Sequence, residues 1–97
     1  MRQRITKDML ERKLAIICTM MSKPHGQFMP ATNARGWEWN IGGYFIDHYN
    51  GYIVREIHEN GAEGSPFGNS RVTAGEMYNI LEGITCALYI MQKGVTQ

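Results

Sequence analysis

The dipeptide Asn50-Gly51 constrains the fold of this chain more than any other local feature. It separates two runs rich in aromatic and β-branched residues, residues 44–49 and 52–57. Asn-Gly is typical of a two-residue hairpin turn, because both turn positions require a positive φ. The middle of the chain is therefore predicted to fold as an antiparallel β-hairpin, against which the flanking segments pack.

The turn also predicts a register for the two strands. A two-residue turn places Tyr49 opposite Tyr52 and His48 opposite Ile53. We expect the core-facing side of the hairpin to carry Tyr44, Ile46, His48, Ile53, Arg55 and Ile57. A further aromatic run at residues 37–41 precedes Gly42-Gly43, which is either a bulge or a turn, so the sheet has two long strands or three short ones.

Apolar periodicity predicts a helix at each end of the chain. In the first, about residues 7–21, Thr6 is the expected N-cap. Its apolar stripe consists of Leu10, Leu14, Ile17 and Met21. In the second, about residues 74–92, Thr73 and Glu76 fit a capping box. Its stripe consists of Met77, Ile80, Leu81, Ile84, Leu88 and Met91.

The remaining segments are predicted to be loops. Residues 22–36 contain two prolines and two glycines, and residues 59–72 form a glycine-rich connection between the sheet and the last helix. The element order is then α-β-β(-β)-α, with a hairpin or meander over about residues 37–58. This order predicts a single α+β domain over residues 1–97, with an antiparallel sheet and two helices packed on one face.

Composition narrows the class of function. Ten Lys and Arg balance nine Asp and Glu, which argues against attachment to nucleic acid or membrane mainly by bulk charge. No apolar run approaches the length of a membrane span, and no secretory leader is visible.

Cys18 and Cys86 lack metal-ligand spacing, so we expect free thiols, no metal and no cofactor. The three histidines accompany no nucleophile motif, so we expect no enzyme.

Charge is unevenly distributed along the chain. Residues 1–35 hold seven basic and two acidic residues, whereas residues 36–82 hold two basic and seven acidic ones. One interpretation is a solvated surface with internal pairing. The other is a dipolar molecule that presents an acidic, aromatic surface to a basic partner. The candidate partner-binding residues are Glu56, Glu59, Glu63, Tyr49 and Tyr52.

The glycine-rich connection is a second candidate site. It opens onto the N-terminus of the last helix, where unpaired amides favour anions. The candidate ligand-binding residues for a small anion, such as a signalling nucleotide, are Ser65, Asn69, Ser70 and Arg71. The alternative is a purely structural loop in which Arg71 pairs with Glu76 or Glu63 and Phe67 enters the core.

Two resemblances bear on function. The predicted element order is similar to that of the double-stranded RNA-binding domain. That family contacts phosphates through lysines at the start of its last helix, where this chain has Thr73-Ala74-Gly75-Glu76-Met77, so we expect no direct nucleic-acid binding.

Residues 50–84 resemble small accessory proteins of bacteriophages and prophages. The motifs that carry this resemblance are Asn50-Gly51-Tyr52, Ser65-Pro66-Phe67-Gly68, Arg71, Glu76-Met77-Tyr78 and Leu81-Glu82-Gly83-Ile84.

The phage resemblance implies expression in the cytoplasm of a bacterial host. In that setting we expect a non-enzymatic protein that binds and inhibits or modulates a host protein, including a counter-defence inhibitor of the anti-CRISPR kind. The alternatives are a binder of a small anion through residues 65–71 and a nucleic-acid-binding accessory protein that uses the basic first helix. Seven methionines, most of them in the helices, also favour a homodimer.

Overall fold

The computed structural model describes residues 4–30, 37–59 and 61–95. Arg2, Arg35 and residues 31–36 of the first predicted loop lie outside this part of the chain. In the described residues, two helices flank five short strands in chain order. The elements are α1 (Lys7–Met21), β1 (Phe28–Pro30), β2 (Trp37–Trp39), β3 (Tyr44–His48), β4 (Tyr52–Ile57), β5 (Glu63–Gly64) and α2 (Ala74–Val95).

The strands form two antiparallel sheets. The main sheet has the order β3-β4-β5, and β1 pairs with β2 in a separate two-stranded sheet. Both helices pack against the main sheet, α1 on β3 and α2 on β4, and also against each other. The α+β class with helices packed on an antiparallel sheet is thus confirmed.

The core between helices and sheet is built from the apolar stripes of both helices. Leu10, Leu14 and Ile17 of α1 and Leu81 of α2 are fully buried. They meet one face of the sheet, to which Tyr44, Ile46 and Val54 contribute. The two predicted caps are present, since the Thr6 hydroxyl accepts from the Met9 amide at 3.3 Å and Thr73 and Glu76 exchange two hydrogen bonds.

The predicted hairpin register was wrong by one residue. His48 lies opposite Tyr52, and their rings stack with centroids 3.9 Å apart. The Tyr52 amide donates to the Val72 carbonyl and the Val72 amide donates back, so Tyr52 cannot close a two-residue turn with Tyr49. Tyr49 instead donates its amide to the Gly51 carbonyl at 3.0 Å.

The shifted register changes which side chains share a face. Because side chains alternate along a strand, Val54 joins Tyr44 and Ile46 on the helix side. Ile53 and Ile57, which were expected on that side, are buried on the opposite face together with Phe45. Both faces of the sheet therefore carry buried apolar residues.

Both predicted loops contain strands. Residues 22–36 include β1, which pairs Phe28 with Trp39, and residues 59–72 include β5, which pairs Glu63 with Ile57. The paired residues lie eleven and six positions apart along the chain, and each strand is only two or three residues long. A strand this short carries no hydrophobic periodicity of its own, so its location depends on the partner strand.

The free edge of β3 is covered by residues from α1 and the segment that follows it. The Tyr44 amide donates to the Pro24 carbonyl, and the Tyr44 carbonyl accepts from the Gly26 amide. The next outward-facing amide, that of Ile46, donates to Oε1 of Glu11 at 3.0 Å. The other oxygen of Glu11 lies 2.7 Å from Nε2 of His25. This cover reduces the exposure of an edge that otherwise invites pairing with another chain.

Candidate functional site

The turn between β4 and β5 carries two of the predicted partner-binding carboxylates. We call residues His58, Glu59, Gly61, Ala62 and Glu63 the acidic turn. The His58 amide donates to the Ala62 carbonyl at 2.8 Å, and the Gly61 amide donates to the His58 carbonyl at 2.9 Å. Glu59 and Glu63 are exposed, and neither forms an ion pair with any described residue.

Trp39 of β2 packs directly against the acidic turn. Gly61 has a φ of +81°, and a Cβ atom there would lie 2.7 Å from Nε1 of Trp39. The absence of a side chain at Gly61 therefore lets the indole lie on the backbone of the turn. Trp39 remains 42% exposed, so an aromatic surface packs on a turn that also carries the exposed residues Glu59 and Glu63.

Glu56 lies at the same end of the sheet but is partly neutralised. Its carboxylate is half-buried and lies 3.6 Å from Nζ of Lys23 and 3.6 Å from Nε2 of His58. Lys23 follows α1 by two residues. This ion pair therefore places the acidic turn at the end of the molecule where α1 ends.

The two predicted partner-binding tyrosines lie elsewhere. Tyr49 is 71% exposed at the hairpin tip, and Tyr52 begins β4. Strand β4 separates them from the acidic turn, by about 17 Å at the usual rise per residue. The structure therefore gives the acidic turn a different aromatic neighbour, Trp39, from the tyrosines named on sequence grounds.

Two of the four predicted anion-binding residues, Arg71 and Ser65, belong to one network of polar contacts with Asp47 and Arg55. Arg71 donates to Oδ2 of Asp47 at 2.8 Å and to the Asp47 carbonyl at 3.4 Å, so its expected partners Glu76 and Glu63 were wrong. Ser65 accepts from Nη1 of Arg55 at 3.0 Å. Asn69 and Ser70 are exposed.

Asp47, Arg55 and Arg71 form a cluster that the sequence did not single out. Nε of Arg55 lies 3.8 Å from Oδ2 of Asp47, and it is buried with no hydrogen-bond partner in the described part of the chain. Two guanidinium groups thus share one carboxylate. The register explains why the cluster was missed, because Asp47 and Arg55 share a face only when His48 opposes Tyr52.

Arg4 and Lys7 lie at the start of α1, at the opposite end from Lys23, whereas Arg12 and Lys13 lie in the middle of the helix. Arg4, Lys7 and Arg12 are exposed. Lys13 is bound to the Glu82 carboxylate of α2 and lies 4.6 Å from the centroid of the Tyr78 ring. The hydrogen bond to Glu82 is the main reason why the pKa of Lys13 is raised.

Within residues 4–30, 37–59 and 61–95, no group of three His, Cys, Asp or Glu side chains could hold a metal ion. Neither helix, as far as its residues are described, combines the length and apolarity needed to cross a bilayer. Cys18 is buried, and Cys86 is exposed.

Comparison of the chain with protein-family models, with curated proteins and with solved structures gave no match.

Proposed function

We propose that this chain is a non-catalytic protein that binds a basic surface of another protein through Trp39 and the acidic turn. The observation that carries the proposal is the packing of a half-exposed indole on Gly61, in a turn whose residues Glu59 and Glu63 are also exposed. Tryptophan is enriched among the residues that dominate binding energy at protein interfaces. An indole face also attracts the cationic side chains that the carboxylates would select.

The distribution of charge over the molecule supports the same proposal. Asp47 and Glu82 are paired with basic residues of this chain, and Glu76 caps α2. The unpaired carboxylates of the acidic turn lie beyond the end of β4, beside the end of α1. Exposed basic residues lie at the start of α1, a helix of 15 residues and therefore about 22 Å long. A dipolar molecule of this kind is steered with its acidic end towards a basic surface.

The phage resemblance suggests which partner this would be. A protein expressed in a bacterial host meets many proteins with basic channels for nucleic acid, including defence nucleases. A compact acidic domain with an aromatic anchor suits the occlusion of such a channel. The proposed partner is therefore a host protein that itself binds nucleic acid.

The experiment uses two variants of the acidic turn and two matched controls. The tagged chain is used to capture proteins from a bacterial host extract, and the captured protein is then purified and titrated. We expect Trp39→Ala, and the double variant Glu59→Gln with Glu63→Gln, to weaken binding at least about tenfold, as loss of an interface anchor does.

The controls change the other end of the molecule. Tyr49→Ala removes an exposed aromatic residue at the hairpin tip, and Asn69→Lys with Ser70→Lys adds the same two units of positive charge away from the acidic turn. Both controls are expected to bind the partner as the wild-type chain does. Equal binding by all four variants would contradict the proposal.

A second candidate function is the binding of a small anion, and one observation favours it. Arg55 and Arg71 share a single carboxylate, and Nε of Arg55 has no hydrogen-bond partner among the described residues. Ligand that binds only the folded chain raises its melting temperature, so about 10 mM inorganic phosphate is a suitable probe. A rise seen in the wild-type chain and in Arg12→Ala, but absent in Arg71→Ala, would support anion binding. No rise in the wild-type chain would dismiss it.

A further inference from the structure

Arg55 and Arg71 are the two basic residues within residues 36–82, a stretch that holds seven acidic ones. They are distant in sequence, yet the fold brings both to Asp47, on the sheet face that points away from the helices. We call Asp47, Arg55 and Arg71 the arginine cluster. One carboxylate and two guanidinium groups leave the cluster with a net positive charge. It is therefore a basic point in an otherwise acidic part of the chain.

The two guanidinium groups carry more hydrogen-bond donors than the described residues use. Each guanidinium has five N–H groups. Arg55 donates to Oγ of Ser65 at 3.0 Å, and Arg71 donates twice to Asp47. Nε of Arg55 is buried without a hydrogen-bond partner in the described part of the chain, and a bound ion is one physical explanation of such an atom. Both arginine side chains are 27% exposed, so a ligand reaches them from solvent.

Tyr49 lies beside the arginine cluster at the hairpin tip. It follows Asp47 by two residues, the spacing at which side chains of a strand share a face. Its amide donates to the Gly51 carbonyl at 3.0 Å, so Tyr49 and Gly51 face each other across the turn. A Cβ at Gly51 would lie 3.0 Å from Cβ of Arg71. Tyr49 and Arg71 thus lie on either side of a position that has no side chain, and Tyr49 is 71% exposed.

We propose that the arginine cluster and Tyr49 bind a nucleotide, with its phosphate on the guanidinium groups and its base stacked on the tyrosine ring. This inference rests on the second candidate function, the binding of a small anion, because it names the class of that anion. Arginine suits a phosphate because its planar fork donates two parallel hydrogen bonds to two oxygens. An exposed aromatic ring suits a base, since every nucleobase has a π-face.

The arrangement favours a ligand with both parts over a simple anion. A simple anion would contact the guanidinium groups alone, and Asp47 already offsets half of their positive charge. Stacking on Tyr49 adds a contact that does not depend on that charge. The ligand-binding residues are then Arg55, Arg71 and Tyr49, whereas Asp47 and Ser65 hold the guanidinium groups in place.

The experiment compares three ligands by titration calorimetry: adenosine monophosphate, inorganic phosphate and adenosine. We expect the wild-type chain to bind adenosine monophosphate at least about tenfold more tightly than inorganic phosphate, which is the usual effect of stacking one base. Adenosine lacks the phosphate and should bind more weakly than adenosine monophosphate by at least about the same factor. Equal affinity for adenosine and adenosine monophosphate would overturn the inference.

The ligand comparison also separates this inference from the function on which it rests. Equal affinity for adenosine monophosphate and inorganic phosphate would overturn the inference and leave the second candidate function standing. A wild-type chain that binds neither would overturn both. None of these results bears on the proposal for the acidic turn.

Two tyrosine variants test the position of the base. Tyr49→Ala removes the proposed stacking ring, and Tyr89→Ala removes a ring of α2 that is 62% exposed. We expect Tyr49→Ala to bind inorganic phosphate as the wild type does, but to lose the preference for adenosine monophosphate. Tyr89→Ala should bind both ligands as the wild type does. Unchanged binding of adenosine monophosphate by Tyr49→Ala would overturn the inference.

Discussion

Glu11 shows how one side chain can join three segments of this molecule. Its carboxylate accepts from the Ile46 amide and contacts His25, so it links α1 to β3 and to the segment that covers the β3 edge. Ile46 is only 2% exposed, so its amide loses this acceptor when the Glu11 side chain is removed.

We therefore expect Glu11→Ala to lower the free energy of unfolding by about 1–3 kcal/mol, the usual cost of a buried amide left without an acceptor. Arg12→Ala changes the next residue, which is exposed, and should alter stability by less than about 0.5 kcal/mol. Urea unfolding measures both variants. Equal stabilities would show that the carboxylate of Glu11 does not hold the edge.

Glu76 provides a test by pH. The Thr73 amide donates to its carboxylate at 3.1 Å, and this hydrogen bond, followed by that with the Thr73 side chain, lowers the pKa of Glu76 from 4.5. A carboxyl group whose pKa is lower in the folded state stabilises the fold above its unfolded pKa. That contribution is lost as the pH falls through the folded value.

The free energy of unfolding of the wild type should accordingly fall more steeply below pH 4.5 than that of Glu76→Gln. Glutamine keeps a hydrogen-bond acceptor at the cap but cannot titrate, which makes it the matched variant. Urea titrations between about pH 3 and pH 6 measure the two slopes. Parallel curves would mean that the capping box contributes nothing to the acid sensitivity of the fold.

At the scale of elements, two glycines that look alike in sequence have opposite roles. Gly51 has a φ of +118°, and a Cβ there would lie 3.0 Å from Cβ of Arg71. Gly83 lies within α2, and a Cβ there would meet nothing within 4 Å. The hairpin turn therefore requires its glycine, whereas the helix only tolerates one.

We expect Gly51→Ala to destabilise the chain by about 1–3 kcal/mol, because alanine adopts that backbone conformation with strain. Gly83→Ala should stabilise it by about 0.5–1 kcal/mol, because alanine loses less conformational freedom in a helix. Thermal unfolding followed by circular dichroism distinguishes the two signs. A stabilising Gly51→Ala would contradict the turn geometry described above.

At the scale of the whole molecule, the two sheets should differ in stability. Strand β1 pairs with β2 over three residues, and the pair stands apart from the main sheet. A two-stranded ribbon is marginally stable in water, whereas β3 and β4 are held by the helix-side core.

Hydrogen exchange should therefore show the amides of β1 and β2 exchanging through local opening, well before those between β3 and β4. The measurement is exchange followed by mass spectrometry or NMR on the native chain. Equal protection of both sheets would mean that the molecule opens as one cooperative unit.

Local sequence determined the helices and their caps. Each of these patterns depends on residues within a few positions of each other: the Thr6 cap, the Thr73–Glu76 box and the apolar stripes. The helices α1 and α2 begin at the caps that these patterns predict. The α+β class follows from the same local patterns, because two amphipathic helices and a hairpin have few ways to bury their apolar faces together.

The tertiary structure decided the register and the sites. Tyr52 pairs with Val72, twenty residues away, and that pairing shifts the hairpin by one residue and brings Asp47 beside Arg55 and Arg71. Trp39 reaches the acidic turn because Gly61 leaves it room. Such contacts join residues distant in sequence, and a one-residue shift moves every side chain of a strand to the other face. Local sequence patterns contain no information about these contacts, so the contacts can be identified only in the folded chain.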